Sequence, residues 1–216
     1  QHTFALLFYI LEKLNYYDNY VKSGEYARGK CFSHFAQNFF ELDGKTWGII
    51  GLGAIGRKVA EIAEAFGCHI ICYSASGRKY DTSYEQVDFD ELLSRSDILS
   101  VHAPLNQYTE NLMTLEAFCK MKKSAIFLNL ARGAIVNEAD LYTALTEDAI
   151  AGAGLDVLCK EPMDPENPLL KIKDSKKLII TPHSAWAAKE TRFRVVDEVI
   201  KNIRRFQVGD GTNRVY

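Results

Sequence analysis

Short apolar runs alternate along this chain with segments whose apolar residues recur every three or four positions, the two periods that separate strands from helices. Thr46-Trp47-Gly48-Ile49-Ile50 is the first clear run. It breaks into Gly51, Gly53 and Gly56, after which Ile55, Val59, Ile62 and Phe66 fall on one helical face. Gly67 stands where a C′ glycine ends a helix, and His69-Ile70-Ile71-Cys72-Tyr73 follows as a second buried strand. Asp88 opens a short helix through Leu93, Asp97 to Val101 reads as a strand that Pro104 breaks, and Thr114 caps a helix to Met121. Next come a buried strand over 124–130, a helix capped by Asn137 and carrying Leu141 and Leu145, and a glycine-thinned strand over 150–157. Loops with Pro162, Pro165 and Pro168 lead to the last strand, Leu178-Ile179-Ile180. A final helix from about Ala187 then presents Val196, Val199, Ile200, Ile203 and Phe206 on one face and stops at Gly209. Strand and helix alternating in this way predict an α/β fold with a doubly wound, Rossmann-type parallel sheet and ligands over the carboxyl ends of its strands.

The N-terminal part obeys a different pattern. Phe4, Leu7, Phe8, Leu11 and Leu14 predict an amphipathic helix, but nothing before Phe4 resembles an N-cap, so the chain is expected to begin inside a larger fold. From there to residue 45 there is no period, yet aromatic residues stand at 16, 17, 20, 26, 32, 35, 39 and 40, against 12% aromatic overall. Such a segment needs a surface to cover. Either it straps its own domain or it is an arm that grips a second subunit, and the density of rings favours the arm and a homodimer.

Composition narrows the class. At 216 residues and 47% hydrophobic the chain can fill a sizeable core, and a net charge of −2 offers no basic surplus for nucleic acid or an anionic membrane. No apolar run is long enough to span a bilayer. The five cysteines include no C-x-x-C pair and no histidine at zinc-ligand spacing, which points to buried free thiols in a reducing cytoplasm and to no metal.

The G-x-G-x-x-G spacing of Gly51, Gly53 and Gly56 between a strand and a helix is the turn that aims helix N–H groups at a pyrophosphate. The polar residues at strand carboxyl ends, where cofactor and substrate would lie, are Ser74, His102, Arg132, Asp156, Glu161 and His183. Arg132 follows a buried strand, and its fork of donors suits a carboxylate; its structural alternative is a surface ion pair. His183, held by Pro182, can exchange a proton near neutral pH, and Glu161 is the carboxylate that could fix its tautomer. Together they meet the needs of hydride transfer between alcohol and ketone. The main rival to this reading is a cofactor-binding fold retained for regulation.

At these residues the sequence resembles the NAD-binding domain of the D-isomer-specific 2-hydroxyacid dehydrogenases. Gly51-Leu52-Gly53-Ala54-Ile55-Gly56 resembles the family's first motif, and Leu128-Asn129-Leu130-Ala131-Arg132-Gly133-Ala134-Ile135-Val136-Asn137-Glu138 its most specific one. Gly154-Leu155-Asp156-Val157, Glu161-Pro162 and Thr181-Pro182-His183 complete the set. The resemblance implies Arg132, Glu161 and His183 as catalytic residues, with Arg132, His183 and Trp186 on the substrate. It implies Gly51, Gly53, Ala54, Ile55, Gly56, Ser74, His102, Ala103, Pro104, Leu130, Ala131 and Asp156 as cofactor contacts. Ser184-Ala185-Trp186 is similar to the glycerate dehydrogenase (hydroxypyruvate reductase) branch. The implied organisation is an interdomain helix and aromatic arm over 1–45, a dinucleotide-binding domain over 46–186 and a C-terminal helix and tail over 187–216, with the N-terminal segment of the substrate domain absent. The implied activity is hydride transfer between NAD or NADP and a small 2-hydroxy or 2-keto acid in the cytoplasm. The alternative is a corepressor-type nucleotide sensor. The second strand ends on Ser74 where NAD-preferring members carry an acid, so NADP is not excluded.

Overall fold

The computed structural model describes residues 1–213, so the last three residues of the C-terminal tail lie outside the description. The chain forms two compact units, the first Gln1–Pro182 and the second beginning at His183.

The first unit opens with α1 (His2–Leu11), α2 (Leu14–Lys22) and α3 (Glu25–Arg28). Strand and helix then alternate as β1 (Thr46–Ile50), α4 (Ala54–Ala65), β2 (His69–Tyr73), β3 (Glu85–Gln86), α5 (Phe89–Arg95), β4 (Ile98–Val101), α6 (Leu115–Lys120), β5 (Ile126–Asn129), α7 (Glu138–Thr146), β6 (Gly152–Leu155) and β7 (Leu178–Ile180). All seven strands are parallel, in the order β3-β2-β1-β4-β5-β6-β7. Chain order reverses between β1 and β4, and in an open parallel sheet that crevice receives the ligand.

Alternating side chains build two cores, one on each face. Trp47, Ile49, Ile70, Cys72, Ile98, Ile126 and Leu128 meet α1 and α4 on one side, while Ile50, Ile71, Leu99, Val101 and Phe127 meet α5, α6 and α7 on the other. Burial on both faces is why these strands read as unbroken apolar runs. The thinning of β6 has a packing cause: a Cβ on Gly154 would lie 3.0 Å from Leu6 Cβ and 2.9 Å from Leu128, so α1 lies directly on the strand.

Several expectations need correction. The stripe of α4 that faces the sheet is Gly56, Val59, Ala60 and Ala63, small residues that allow close approach. Ile55, in the first turn, is 69% exposed, and Phe66 is only partly covered by the rings of Phe4 and Phe8. The first helix ends at Leu11 rather than at Leu14, because Lys13 turns into the left-handed region at φ 55°. The arm contains two helices, which the sequence hid. β3, two exposed polar residues, had no apolar run to announce it. All five cysteines are free, but only Cys68 and Cys72 are buried; Cys31, Cys119 and Cys159 are exposed.

The second unit holds α8 (Lys189–Gln207), which ends before Gly209 at φ 77°. It has the apolar face read from the sequence, and Val196, Val199, Ile200, Ile203 and Phe206 on that face are all exposed. No helix among the described residues is long and apolar enough to cross a membrane.

Candidate functional site

The crevice begins where β1 ends. Gly51 has φ 92°, which a residue with a side chain rarely adopts, and a Cβ there would lie 2.7 Å from the Ala103 nitrogen beyond β4. Gly51 therefore lets the two strand ends touch. Gly56 presses the first turn of α4 onto that bend, since its Cβ would fall 2.2 Å from the Gly51 carbonyl oxygen. Gly53 differs from both, because a Cβ there would meet nothing within 4 Å. It is the N-cap of α4 and supplies no capping side chain, and Ala54 and Ile55 beside it are exposed. The first amides of α4 thus face an open hollow with the dipole behind them, which fits the pyrophosphate of a dinucleotide.

Ser74 closes β2. It is buried, with its hydroxyl 3.4 Å from that of Ser76, and the Gly77 amide donates to its carbonyl to make a turn that leaves Arg78 and Lys79 exposed. Residues 74–79 contain no carboxylate. A pocket of about 550 Å³ lies here, bounded by Ser74, Gly77, Lys79 and Asp88, and the Asp88 carboxylate is engaged as the N-cap of α5.

Within β4, Ser100 Oγ accepts from Trp47 Nε1 at 2.8 Å and lies 3.1 Å from Nε2 of His102, just beyond the strand. Burial pushes the His102 imidazole down to about 4, so it is neutral at physiological pH. Ala103 is buried and Pro104 exposed.

After β5 the turn is held by buried Asn129, whose Oδ1 accepts from the Ala131 amide and whose Nδ2 donates to the Arg132 carbonyl. Leu130 is partly buried and Ala131 buried. Arg132 itself is exposed. Nη1 donates to the Ala131 carbonyl at 2.6 Å, and among the described residues no carboxylate is recorded in an ion pair with it. Gly133 follows in tight contact with the next loop, its Cβ position 1.9 Å from the Leu158 carbonyl carbon.

Asp156, beyond β6, is 1% exposed and accepts from Thr181 Oγ1 at 2.5 Å. His2 Nε2 lies 2.9 Å from that hydroxyl and 3.4 Å from Asp156 Oδ1, so the start of α1 joins the ends of β6 and β7. Sequence reasoning missed His2, and no local pattern could have found it. In the loop after β6, Glu161 Oε1 accepts from the Leu158 amide at 2.9 Å. A second carboxylate was quoted only as part of a motif. Glu138 accepts from the Cys159 amide at 2.7 Å and from Asn167 Nδ2 at 2.6 Å.

The first unit thus gathers Gly51 to Gly56, Ser74, His102 to Pro104, Leu130 to Arg132 and Asp156 at the carboxyl ends of five strands, with Glu161 in the loop beyond. His183 and Trp186 belong to the second unit. His183 is exposed and adopts φ 51°, a left-handed conformation uncommon for a residue with a side chain, and a turn follows in which the Ala187 amide donates to Ser184. Exposed Trp186 lies within that turn.

Residues 4–185 match the family described as D-isomer specific 2-hydroxyacid dehydrogenase, NAD binding domain. The whole chain is 38% identical to a hydroxypyruvate reductase of Blautia hydrogenotrophica and covers 66% of that protein. A D-lactate dehydrogenase of Aquifex aeolicus, solved with NAD and lactic acid, superposes with a TM-score of 0.86 at 29% identity over 97% of this chain and 66% of that one. An acyclic imino acid reductase, Bsp5, solved with NADPH and D-Arg, does so at 0.83 and 34% identity over 100% and 66%. The chain spans about two thirds of the length of the proteins it matches.

Proposed function

The chain belongs to the D-isomer specific 2-hydroxyacid dehydrogenase family through its NAD binding domain, and from that premise we propose that the full-length protein interconverts a small 2-keto acid and its 2-hydroxy acid. The observation that carries the reading is Arg132, an exposed guanidinium with no carboxylate partner among the described residues, at the carboxyl end of β5 in the same sheet whose β1 ends in a glycine turn fitted to a dinucleotide. Hydroxypyruvate is the substrate we favour, on the strength of Trp186 and the similarity to a hydroxypyruvate reductase.

The nicotinamide group, when bound, supplies or takes the hydride at the substrate C2. Arg132 grips the α-carboxylate through two N–H donors and so fixes the carbonyl in place. His183 gives the proton that the carbonyl oxygen needs as it becomes a hydroxyl, and takes it back in the reverse direction. Glu161 stabilises the protonated imidazole and selects its tautomer. Arginine and the general acid both act at the developing negative charge.

In full-length protein, His183→Ala is expected to lower kcat by roughly 10²- to 10⁴-fold, the usual worth of a positioned acid/base group. Steady-state kinetics with hydroxypyruvate measure this, and turnover equal to wild type would remove the histidine from the mechanism. A corepressor-type sensor has nothing here in its favour, since the similar proteins are named as reductases and a dehydrogenase. Two further parts of the reading concern the setting. A homodimer formed through the aromatic arm is supported by Phe32 and Phe35, 92% and 86% exposed. A cytoplasmic location suits five free thiols, three of them exposed.

A further inference from the structure

Glu138 has no part in the chemistry just described, yet its carboxylate makes two of the shortest contacts near the site. It is the first residue of α7, and the ordinary tasks of that position are already covered, because Asn137 caps the helix and Asp140 adds a second acid to its first turn. Its two oxygens instead reach out to a different segment. Oε1 accepts from the Cys159 amide and Oε2 from Asn167 Nδ2, near the two ends of the loop that carries Glu161. Asn167 is itself fixed, since its Oδ1 accepts from the Leu169 amide and its own amide donates to Asp164.

The contacts couple to the site through single peptide units. The Cys159 amide goes to Glu138, and the amide before it, that of Leu158, goes to Glu161. On the other side Gly133, next to Arg132, is pressed against the Leu158 carbonyl and the Cys159 nitrogen with no room for a Cβ. The Arg132 turn, Glu138 and the Glu161 loop therefore share one contact region. We propose that Glu138 is a positioning residue whose carboxylate clamps the Glu161 loop in register with the Arg132 turn. The clamp is a matter of geometry, while its catalytic consequence rests on the roles proposed above for Arg132 and Glu161.

Both groups facing Glu138 are donors, so only an acceptor at each oxygen satisfies them. Glu138→Gln keeps the shape but must set an NH₂ against one donor. Asn167 cannot flip to compensate without turning its own NH₂ on the Leu169 amide. The substitution thus cuts the clamp at one end with little change in volume. A reporter lies beside it. Cys159 is an exposed residue, but its Sγ turns back to the Val136 carbonyl at 3.5 Å, and its thiol is pushed up to about 11, first by burial of the sulfur and then by the Glu138 charge.

The test uses full-length protein with Glu138→Gln, with Asn167→Ala as a second variant should the first not fold, and with Arg132→Ala and Glu161→Gln alongside. Glu138→Gln is expected to lower kcat/KM for hydroxypyruvate roughly 10- to 100-fold, the effect of a small misplacement of reacting groups. The KM for nicotinamide cofactor should stay unchanged, and the limb of the pH–rate profile that depends on Glu161 should move, which a purely structural residue would not cause. Site-resolved alkylation should show Cys159 reacting faster in Glu138→Gln than in wild type at the same pH. Wild-type kinetics and an unmoved limb in a folded variant would overturn the proposal while leaving the reading of the site intact. If instead Arg132→Ala and Glu161→Gln turn over like wild type, that reading fails, and alkylation decides the clamp: an unchanged Cys159 rate overturns it, a faster one upholds it.

Discussion

Ser74 ends β2 with a hydroxyl at the position from which an acid would accept hydrogen bonds from an adenosine ribose and repel a 2′-phosphate. Two serine hydroxyls, Arg78 and Lys79 line the following turn, and the one carboxylate bordering the pocket, Asp88, is committed to capping α5. Dual cofactor use follows, with discrimination no stronger than about tenfold, or roughly 1.4 kcal/mol, in either direction. Fluorescence titration with NADH and NADPH measures this, and Ser74→Asp should shift the preference towards NADH. Strong exclusion of NADPH by wild type, unchanged by the substitution, would show that this turn is not the selector. His102 sets a pH dependence of its own. Its imidazole titrates near 4 when folded and near the ordinary histidine value of about 6.5 when unfolded, so between those values the unfolded chain binds a proton that the folded one does not. Stability should be full above pH 6.5 and fall as the pH drops towards 4. Chemical denaturation across that range should show the fall, and His102→Gln should flatten it. An equal slope in both proteins would assign the loss to other groups.

The secondary elements divide by how their information is carried. β1, β2, β4 and β5 are apolar runs largely buried on both faces, and the N-caps of α5, α6 and α7 at Asp88, Thr114 and Asn137 each accept from an amide of the helix they open, so local sequence announced these elements. β3 exists only because Glu85 and Gln86 fall in register with Ile71 and Cys72, and two polar residues carry no pattern. The first helices of the arm were obscured for a similar reason. Tyr16 and Tyr20, one turn apart on α2, both pack on His34, with Tyr20 and His34 stacked 3.9 Å apart, so the rings answer a partner along the arm and not the sheet core that a sequence pattern would point to. His2 went unread because its partner Thr181 is 179 positions away. The exposure of Phe32 and Phe35 supports the proposed arm that meets a second copy over a strap on the chain's own sheet. Sedimentation of full-length protein at micromolar concentration should therefore show a dimer, and replacing both phenylalanines by serine should weaken it; a wild-type monomer would contradict the arm.

At the scale of the whole molecule, the chain holds the cofactor hollow, Arg132, Glu161 and His183 but spans about two thirds of the length of its relatives. Closure of a complete site around its ligand excludes water and brings the reacting groups together. The 216-residue chain by itself is therefore expected to bind nicotinamide cofactor without turning over substrate. The most direct measurement is the oxidation of NADH or NADPH by full-length protein across a panel of 2-keto acids that includes hydroxypyruvate, glyoxylate and pyruvate, run beside Arg132→Ala. Reduction of at least one small 2-keto acid, lost in the variant, is the result this account predicts. Tight cofactor binding with no turnover of any keto acid, or turnover indifferent to Arg132, would contradict it.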